Sequence, residues 1–186
     1  TANANVKLTA DSAAVATNTN SLILNGFGIT NPGGATTIPI ASASLAGNIL
    51  INSANNIAGA NTTLGITTFE LTILTSATST ISAVIGTAVA GSLSIGGTGN
   101  VTLTASNLFT GATNINNATL TYGASNVLSS GGVNVNGGTL NINGSSDTVG
   151  AVVLQNGTIT GTSGVLSGTS YSFREGTVSA IIAGGA

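Results

Sequence analysis

Four segments in the C-terminal half of the chain repeat one pattern at a nearly constant spacing. Each segment holds two short runs of alternating apolar and polar residues, separated by a pair of residues that suits a tight turn. The segments are residues 113–121, 133–141, 152–160 and 171–179, which begin 20, 19 and 19 residues apart. A fixed period of this length is typical of architectures in which each repeat contributes one layer to a stack.

The pair of residues between the two runs differs from segment to segment, but each pair consists of residues that suit a turn. The four pairs are Asn117-Ala118, Gly137-Gly138, Asn156-Gly157 and Glu175-Gly176. Most of them accept the positive φ that a tight turn requires. Such a turn closes a hairpin or forms the corner of a solenoid. A hairpin alone does not explain why the pattern returns every 19 or 20 residues, so the repetition favours a corner.

Alternation within the runs predicts which side chains point inward. We expect two internal ladders, because equivalent strands of successive coils pair in parallel about 4.8 Å apart. The residues of the first ladder are Ile115, Val135, Leu154 and Phe173, and those of the second are Leu120, Leu140, Ile159 and Val178. The residues that flank the second ladder are expected to face solvent: Thr119, Thr139, Thr158 and Thr177 on one side, and Thr121, Asn141, Thr160 and Ser179 on the other.

Residues 123–130 and the similar segment at residues 161–168 indicate a third element in each coil. Three elements per coil predict an all-β fold, a right-handed parallel β-helix (β-solenoid) with coils of about 20 residues. Abundant Thr, Ser and Asn, with 27 glycines, suit strands and turns better than helices.

The N-terminal half is less regular, but it belongs to the same predicted domain. Residues 1–95 are interpreted as solenoid coils with longer loops, continuous with the regular coils of residues 96–186. Residues 31–34 predict a protruding turn, and Pro39 predicts an edge strand or a loop because proline cannot donate to a ladder. The alternating runs of this half lie at residues 21–24, 48–52, 69–74 and 92–95.

Composition excludes several classes of function. The chain carries two basic and four acidic side chains and has no His, Cys or Met. Two cations cannot neutralise a row of phosphates, so we expect no nucleic-acid partner. Without thiols or imidazoles the usual transition-metal ligands are missing, and we expect no metal and no cofactor. The apolar stretch at residues 81–95 is broken by Ser, Thr and Gly, so no membrane-spanning segment is predicted.

The four acidic residues are the candidates for a catalytic site, because glycan-active enzymes bring carboxylates together. Asp11, Glu70, Asp147 and Glu175 lie 59, 77 and 28 residues apart, and no two share a register on neighbouring coils. Glu70 is expected to be solvated, and Asp147 follows a turn that only loosely matches a calcium-binding loop. No catalytic residue is assigned, and the chain is not expected to be an enzyme.

Residues 96–185 carry a combination of motifs with a known counterpart. The motifs lie at residues 99–105 (GNVTLTA), 107–116 (NLFTGATNIN), 118–123 (ATLTYG) and 171–180 (YSFREGTVSA). Together they resemble the autotransporter-associated β-strand repeat of bacterial surface proteins. The resemblance implies a secreted parallel β-helix of the autotransporter passenger type, located outside the cell or on its surface, and implies no enzymatic activity.

The sequence therefore predicts an extracellular structural or adhesive module, such as an adhesin or a subunit of a biofilm filament. Its expected partners are further copies of itself, joined end to end, or cell-surface glycans. Two other functions stay open. One is ice binding by the Thr-x-Thr runs at residues 102–104, 119–121 and 158–160, and the other is glycan cleavage.

Overall fold

A computed structural model describes residues 4–7, 12–13, 19–30, 36–40, 46–59, 62–66, 69–86 and 90–185. Over these ranges the protein contains strands and no helix. The strands are β1 Ala4–Lys7, β2 Ser12–Ala13, β3 Thr19–Leu24, β4 Ile29–Thr30, β5 Thr36–Pro39, β6 Gly47–Ile51, β7 Asn55–Ile57, β8 Thr62–Gly65, β9 Leu71–Thr75, β10 Thr78–Ile81, β11 Val84–Ile85, β12 Leu93–Gly97, β13 Asn100–Leu103, β14 Thr113–Asn116, β15 Thr119–Tyr122, β16 Val133–Asn141, β17 Asp147–Thr160, β18 Val165–Phe173, β19 Thr177–Val178 and β20 Ile181–Gly184.

Every named pairing between these strands is parallel, and each joins strands of successive coils. Burial alternates along the strands, as in β6 and β9, and in strands such as β13 apolar and polar residues alternate with it. The prediction of an all-β parallel solenoid with coils of about 20 residues is confirmed. Alternation produces this arrangement because one side of each strand must be buried while its edges pair with the coils before and after it.

The first face of the solenoid is the stack of β1, β3, β6, β9, β12 and β14, continued by the first part of β16, the middle part of β17 and the second part of β18. β12 pairs with β9 on one side and β14 on the other. The irregular and the regular coils are therefore one continuous stack. One inward column runs through this face as Leu22, Ile49, Ile73, Ile95, Ile115, Val135, Leu154 and Phe173.

The second face follows the first around a sharp corner. It consists of β2, β4, β7, β10, β13 and β15, then the last parts of β16 and β17, and β19. The predicted corner is present, because the strands on its two sides pair with the neighbouring coils and not with each other as a hairpin would. Positive φ values mark it in successive coils, at Gly97, Asn117, Gly137, Gly157 and Gly176.

The third face is less continuous than the other two. β5, β8 and β11 form a separate three-stranded sheet with β5 at its edge, and Pro39 ends that strand as the missing amide predicts. Residues 123–130 form no strand, although Val127 and Leu128 are buried there. The face resumes with the start of β17, the start of β18, and β20. The turn predicted at residues 31–34 lies outside the described residues.

Candidate functional surface

The eight residues predicted to point inward lie in two columns. Ile115, Val135, Leu154 and Phe173 are partners in the first face, and Leu120, Leu140, Ile159 and Val178 are partners in the second. All but Phe173 and Val178 are at most 1% exposed. Their place in the apolar core gives them a role in stability and leaves recognition to the outward residues.

Phe173 does not meet the expectation of an enclosed side chain. It keeps the register of its column through its pairing with Leu154, yet it is 43% exposed. Val178, in the same coil, is only partly buried. Both residues belong to the last described coil, where no later coil covers them. Position in the stack, which the alternating pattern does not encode, decides their exposure.

Two outward columns of the second face carry most of the regularly spaced hydroxyls. The Thr78 column consists of Thr78, Asn100, Thr119, Thr139, Thr158 and Thr177. The Thr80 column consists of Asn56, Thr80, Thr102, Thr121, Asn141 and Thr160, and Ser179 follows it. Strand pairing along both columns has no register shift, so each coil presents its two polar residues at equivalent positions.

Hydrogen bonds link several members of these columns to one another. Thr121 Oγ1 donates to Asn100 Oδ1 at 2.9 Å, and Ser179 Oγ donates to Thr160 Oγ1 at 3.0 Å. Thr121 is only 9% exposed, so the expectation that it faces solvent is not met. Thr139, Thr158 and Asn141 are half-exposed, and Thr177 and Ser179 are exposed. The columns therefore form a partly accessible surface with ordered side chains.

The first face carries a polar column of its own, Ser94, Asn114 and Asn134, which we call the asparagine ladder. Asn134 Nδ2 donates to Asn114 Oδ1 at 2.8 Å, and Asn114 Nδ2 donates to Ser94 Oγ at 3.2 Å. Ser94 Oγ in turn donates to Glu70 Oε1. Glu70 is half-buried in this contact, in contrast to the solvated position expected from the sequence. The chain of hydrogen bonds runs along the solenoid axis and ties successive coils together.

Next to the asparagine ladder, the first face exposes an apolar stripe. Leu50 and Leu74 are partners in register and are 39% and 49% exposed. Ile23, the partner of Leu50 in the coil before, is half-exposed. The stripe ends at Gly96, which follows Leu74 in the same register. Alternation predicts that these positions point outward, but not that they would be apolar.

The structure brings no pair of catalytic carboxylates together among the residues it describes. Glu70 lies on the first face, Glu175 is exposed at the last corner and Asp147 is buried at the third face, while Asp11 lies outside the described residues. Within the same ranges, no group of three or more acidic, His or Cys residues could hold a metal ion. No helix in this part of the chain has the length and apolar character needed to cross a membrane.

Asp147 is a buried acid, although in the sequence it follows a turn that loosely matches a calcium-binding loop. It is 3% exposed and starts β17. Its Oδ2 accepts from the Leu128 amide at 2.9 Å and its Oδ1 from the Thr148 amide at 2.8 Å. Burial raises the pKa of Asp147, and the backbone donors act in the opposite direction. The strand pairing places Asp147 in the column that Leu166 occupies one coil later, and this register was not recognised in the sequence.

Two other polar side chains lie in the same part of the interior. Asn107 accepts from the Ile85 amide at 2.8 Å and donates to the Val127 carbonyl at 2.7 Å, which bridges the coils before and after it. The Tyr122 hydroxyl is buried without a hydrogen-bond partner of normal geometry. Burial raises the pKa of Tyr122, and the nearby Asp147 charge raises it further. Asn107 and Asp147 thus bond to the backbone of Val127 and Leu128, where the third face has no strand.

No family model, no curated protein and no solved structure matches this chain. The resemblance of residues 96–185 to the autotransporter-associated repeat remains a prediction from the sequence motifs.

Proposed function

We propose that this protein is an extracellular structural and adhesive rod. The observation that carries the proposal is the uninterrupted parallel stack of the first face, which joins the irregular and regular coils. A stack of this kind resists bending and extension, because each coil is held by backbone hydrogen bonds to the coils on both sides.

Side-chain hydrogen bonds between coils support the mechanical role. The asparagine ladder ties the coils of Ser94, Asn114 and Asn134 together on the first face. Asn107 likewise links neighbouring coils inside the third face, through hydrogen bonds to the backbone of Ile85 and of Val127. Each such bond contributes only about 1 kcal/mol to stability, but their repetition along the axis distributes load over many coils.

The adhesive role is supported by the chemistry of the outward columns. The Thr78 and Thr80 columns repeat hydroxyl and amide groups about 4.8 Å apart along the axis. The faces of the rod carry almost no charge, since the chain has only six charged side chains. A surface of this kind makes weak single contacts that gain strength by repetition, which suits cell-surface glycans or other neutral polar surfaces.

The location outside the cell is supported by the resemblance of residues 96–185 to a repeat of secreted bacterial surface proteins. The proposal includes contact with other copies of the chain, as expected for a filament that forms part of a surface layer.

Adhesion is tested by measuring binding of the purified chain to immobilised neutral glycans and to bacterial cells. Thr139→Lys and Thr158→Lys place bulky charges in the Thr78 column and should reduce binding about tenfold or more if repetition provides the affinity. Thr72→Lys puts the same charge on the first face, at the column position of Ser94, and is the matched control. No binding by the unmodified chain, or equal losses in all three variants, would reject adhesion through the second face.

A second candidate function, ice binding, is favoured by one specific observation. The Thr78 and Thr80 columns run side by side in register, so that Thr78 and Thr80, Asn100 and Thr102, and Thr119 and Thr121 form successive pairs on one sheet. Regular hydroxyls and methyl groups on one face can order water into a lattice. Thermal hysteresis that Thr139→Lys abolishes and Thr72→Lys leaves intact would establish this function, and the absence of hysteresis and of ice shaping would reject it.

A further inference from the structure

Asparagine followed by glycine is the sequence in which an asparagine side chain reacts most readily with the backbone, because glycine has no side chain to hinder the attack. Three such pairs lie in the regular coils: Asn136-Gly137, Asn143-Gly144 and Asn156-Gly157. The three pairs consist of the same two residue types. Differences in their reactivity in the folded protein therefore come from the structure around each pair.

The reaction needs only water. The backbone nitrogen of the glycine loses its proton to solvent and attacks Cγ of the asparagine. The new bond to Cγ closes a five-membered succinimide ring, while the bond from Cγ to Nδ2 breaks and Nδ2 takes up a proton and leaves as ammonia. Water then opens the ring. Attack at Cγ gives aspartate, and attack at the main-chain carbonyl gives isoaspartate, in which the backbone continues through Cβ and Cγ.

Asn143 is held by hydrogen bonds on its side chain and on its backbone. Its Nδ2 donates to the Tyr122 carbonyl at 2.8 Å. Its backbone amide donates to Asn141 Oδ1 at 2.9 Å, and its carbonyl accepts from the Thr162 amide at 2.7 Å. Rotation of the side chain towards Gly144 and departure of Nδ2 both require that the bond to Tyr122 opens first.

Asn136 is restrained in a similar way. Its Nδ2 donates to Asn116 Oδ1 at 3.0 Å, and its own Oδ1 is buried. Its carbonyl accepts from the Asn117 amide at 3.2 Å. The side chain must leave this position before ring closure, so the reaction at Asn136 requires a local opening.

Asn156 lacks these restraints. Its side chain is exposed and makes no hydrogen bond to the residues that the structure describes. Coils on both sides of it are described, since the Leu154 carbonyl accepts from the Arg174 amide at 2.9 Å and Thr158 pairs with Thr177 in the next coil. The exposure of Asn156 thus belongs to its place at the corner between the first and second faces.

Earlier coils show the same outward position at this corner. Asn117 and Gly137 mark the corner by their positive φ values, and both are exposed. The corner is therefore accessible along the rod, and Asn156 is accessible for the same reason.

We propose that Asn156 is a site of spontaneous deamidation in the folded protein, whereas the solenoid protects Asn136 and Asn143. The rod gains a carboxylate at this corner as the protein ages. This inference goes beyond the structural and adhesive role and depends on neither.

The new carboxylate would lie next to an existing one. Asn156 and Glu175 each precede a corner glycine, Gly157 and Gly176, whose φ values are +117° and +122°. They hold equivalent positions in successive coils, which are about 4.8 Å apart. Like charges at this spacing repel each other, so deamidation should weaken the contact between the two coils.

Isoaspartate would also disturb the backbone of the corner. A methyl group on Gly157 would collide with the Gly138 carbonyl oxygen, and one on Gly176 would collide with the Gly157 carbonyl oxygen. The corner is thus closely packed against the coils on both sides. The extra main-chain atom of isoaspartate has no room there, so this product should lower the free energy of unfolding.

The test follows the three asparagines in the purified chain at mildly alkaline pH, in buffer and in concentrated urea. Digestion with pepsin in acid halts the reaction, and mass spectrometry with chromatography separates the amide, aspartate and isoaspartate peptides. In the folded protein Asn156 should convert about fivefold or more faster than Asn136 and Asn143, because it has no side-chain hydrogen bond to open. In urea the three rates should be similar.

Two variants provide matched controls. Asn116→Ala removes the acceptor of Asn136 Nδ2 and should accelerate conversion of Asn136 while leaving Asn143 unchanged. Asn156→Gln keeps an amide but closes its ring more slowly. After the same incubation, Asn156→Gln should keep its free energy of unfolding, whereas the unmodified chain should lose stability. Circular dichroism before incubation verifies the fold of each variant.

Conversion of Asn136 or Asn143 as fast as Asn156 in the folded protein would overturn the proposal. An unreactive Asn156 in buffer, together with conversion in urea, would overturn it as well. Equal losses of stability in the incubated unmodified chain and in incubated Asn156→Gln would reject the effect assigned to this corner.

Discussion

Asn134 donates a hydrogen bond from Nδ2 to Oδ1 of Asn114, 2.8 Å away in the preceding coil. The two residues are direct partners in the first face, and both are half-buried. A bond between identical side chains in successive coils is a repeated feature that a solenoid can form and a single hairpin cannot.

Asn134→Ala should lower the free energy of unfolding by about 1 kcal/mol, because it removes one side-chain hydrogen bond that is partly shielded from water. Asn136→Ala is the matched control. Asn136 donates to Asn116 at 3.0 Å in an exposed contact, while its Oδ1 is buried without a partner. Asn136→Ala removes an exposed hydrogen bond, but it also removes a buried oxygen that has no partner. The two effects offset each other, so we expect little change in the free energy of unfolding. Urea denaturation measures both, and a larger loss in Asn136→Ala would contradict the role of the ladder.

Truncation to alanine in the inward column of the first face should lower the free energy of unfolding strongly in the middle of the column and weakly at its end. Leu154→Ala should cost about 2–5 kcal/mol, because Leu154 is 1% exposed and its removal leaves a cavity. Phe173→Ala should cost about 1 kcal/mol, since much of that side chain is already in water. Thermal denaturation of Leu154→Ala and Phe173→Ala measures both losses, at protein concentrations that favour the monomer. Equal losses would show that the last coil is covered in solution.

Gly157→Ala should destabilise the corner between the first and second faces. Gly157 has a φ of +117°, and a methyl group there would collide with the carbonyl oxygen of Gly138 in the preceding coil. We expect a loss of about 2 kcal/mol or more.

Gly144→Ala provides the control for this corner. The methyl group added at Gly144 would have Ser163 Oγ as its nearest neighbour, at 3.1 Å, and that side chain can rotate away. Denaturation midpoints of the two variants should therefore differ clearly, and a tolerated Gly157→Ala would show that the corner is looser than the structure indicates.

Asp147 should make stability depend on pH in the acid range. Burial raises the folded-state pKa of Asp147 above its ordinary value of 3.8, so the folded protein holds this proton more tightly than the unfolded chain. The contribution is fully present below 3.8 and is lost as the pH rises through the folded-state pKa. Asp147→Asn should remove this part of the profile and keep an acceptor for the Leu128 amide. Unfolding free energies measured from about pH 3 to pH 7 test it, and identical profiles would contradict it.

Much of the fold could be predicted from the sequence. Ile115, Val135 and Leu154 were placed in one inward column by alternation and by a spacing of 19 or 20 residues, and they are partners in that column. The corner at Gly137 and Gly157 followed from residues that accept positive φ. Both results depend on local geometry, because the side-chain period of a strand and the backbone freedom of Gly act within a few residues.

The candidate surface was only partly predictable. Thr119, Thr139 and Thr158 were expected on the outside, but the full length of the Thr78 and Thr80 columns appeared only when the register joined Thr78 and Thr80 of the irregular half to the regular coils. Loops of unequal length hide this register in the sequence, since they change the spacing between equivalent strands without changing how the strands pair.

By itself, the sequence determined the strand pattern, the coil length, the corners and the scarcity of charge, because each of these comes from residue type and short-range periodicity. Only the tertiary structure decided that Asp147 is buried, that Thr121 is shielded and that Phe173 is exposed. Those outcomes depend on what lies in the coils before and after each residue. In a solenoid these neighbours are about 20 residues away along the chain, and at the last described coil one of them is missing.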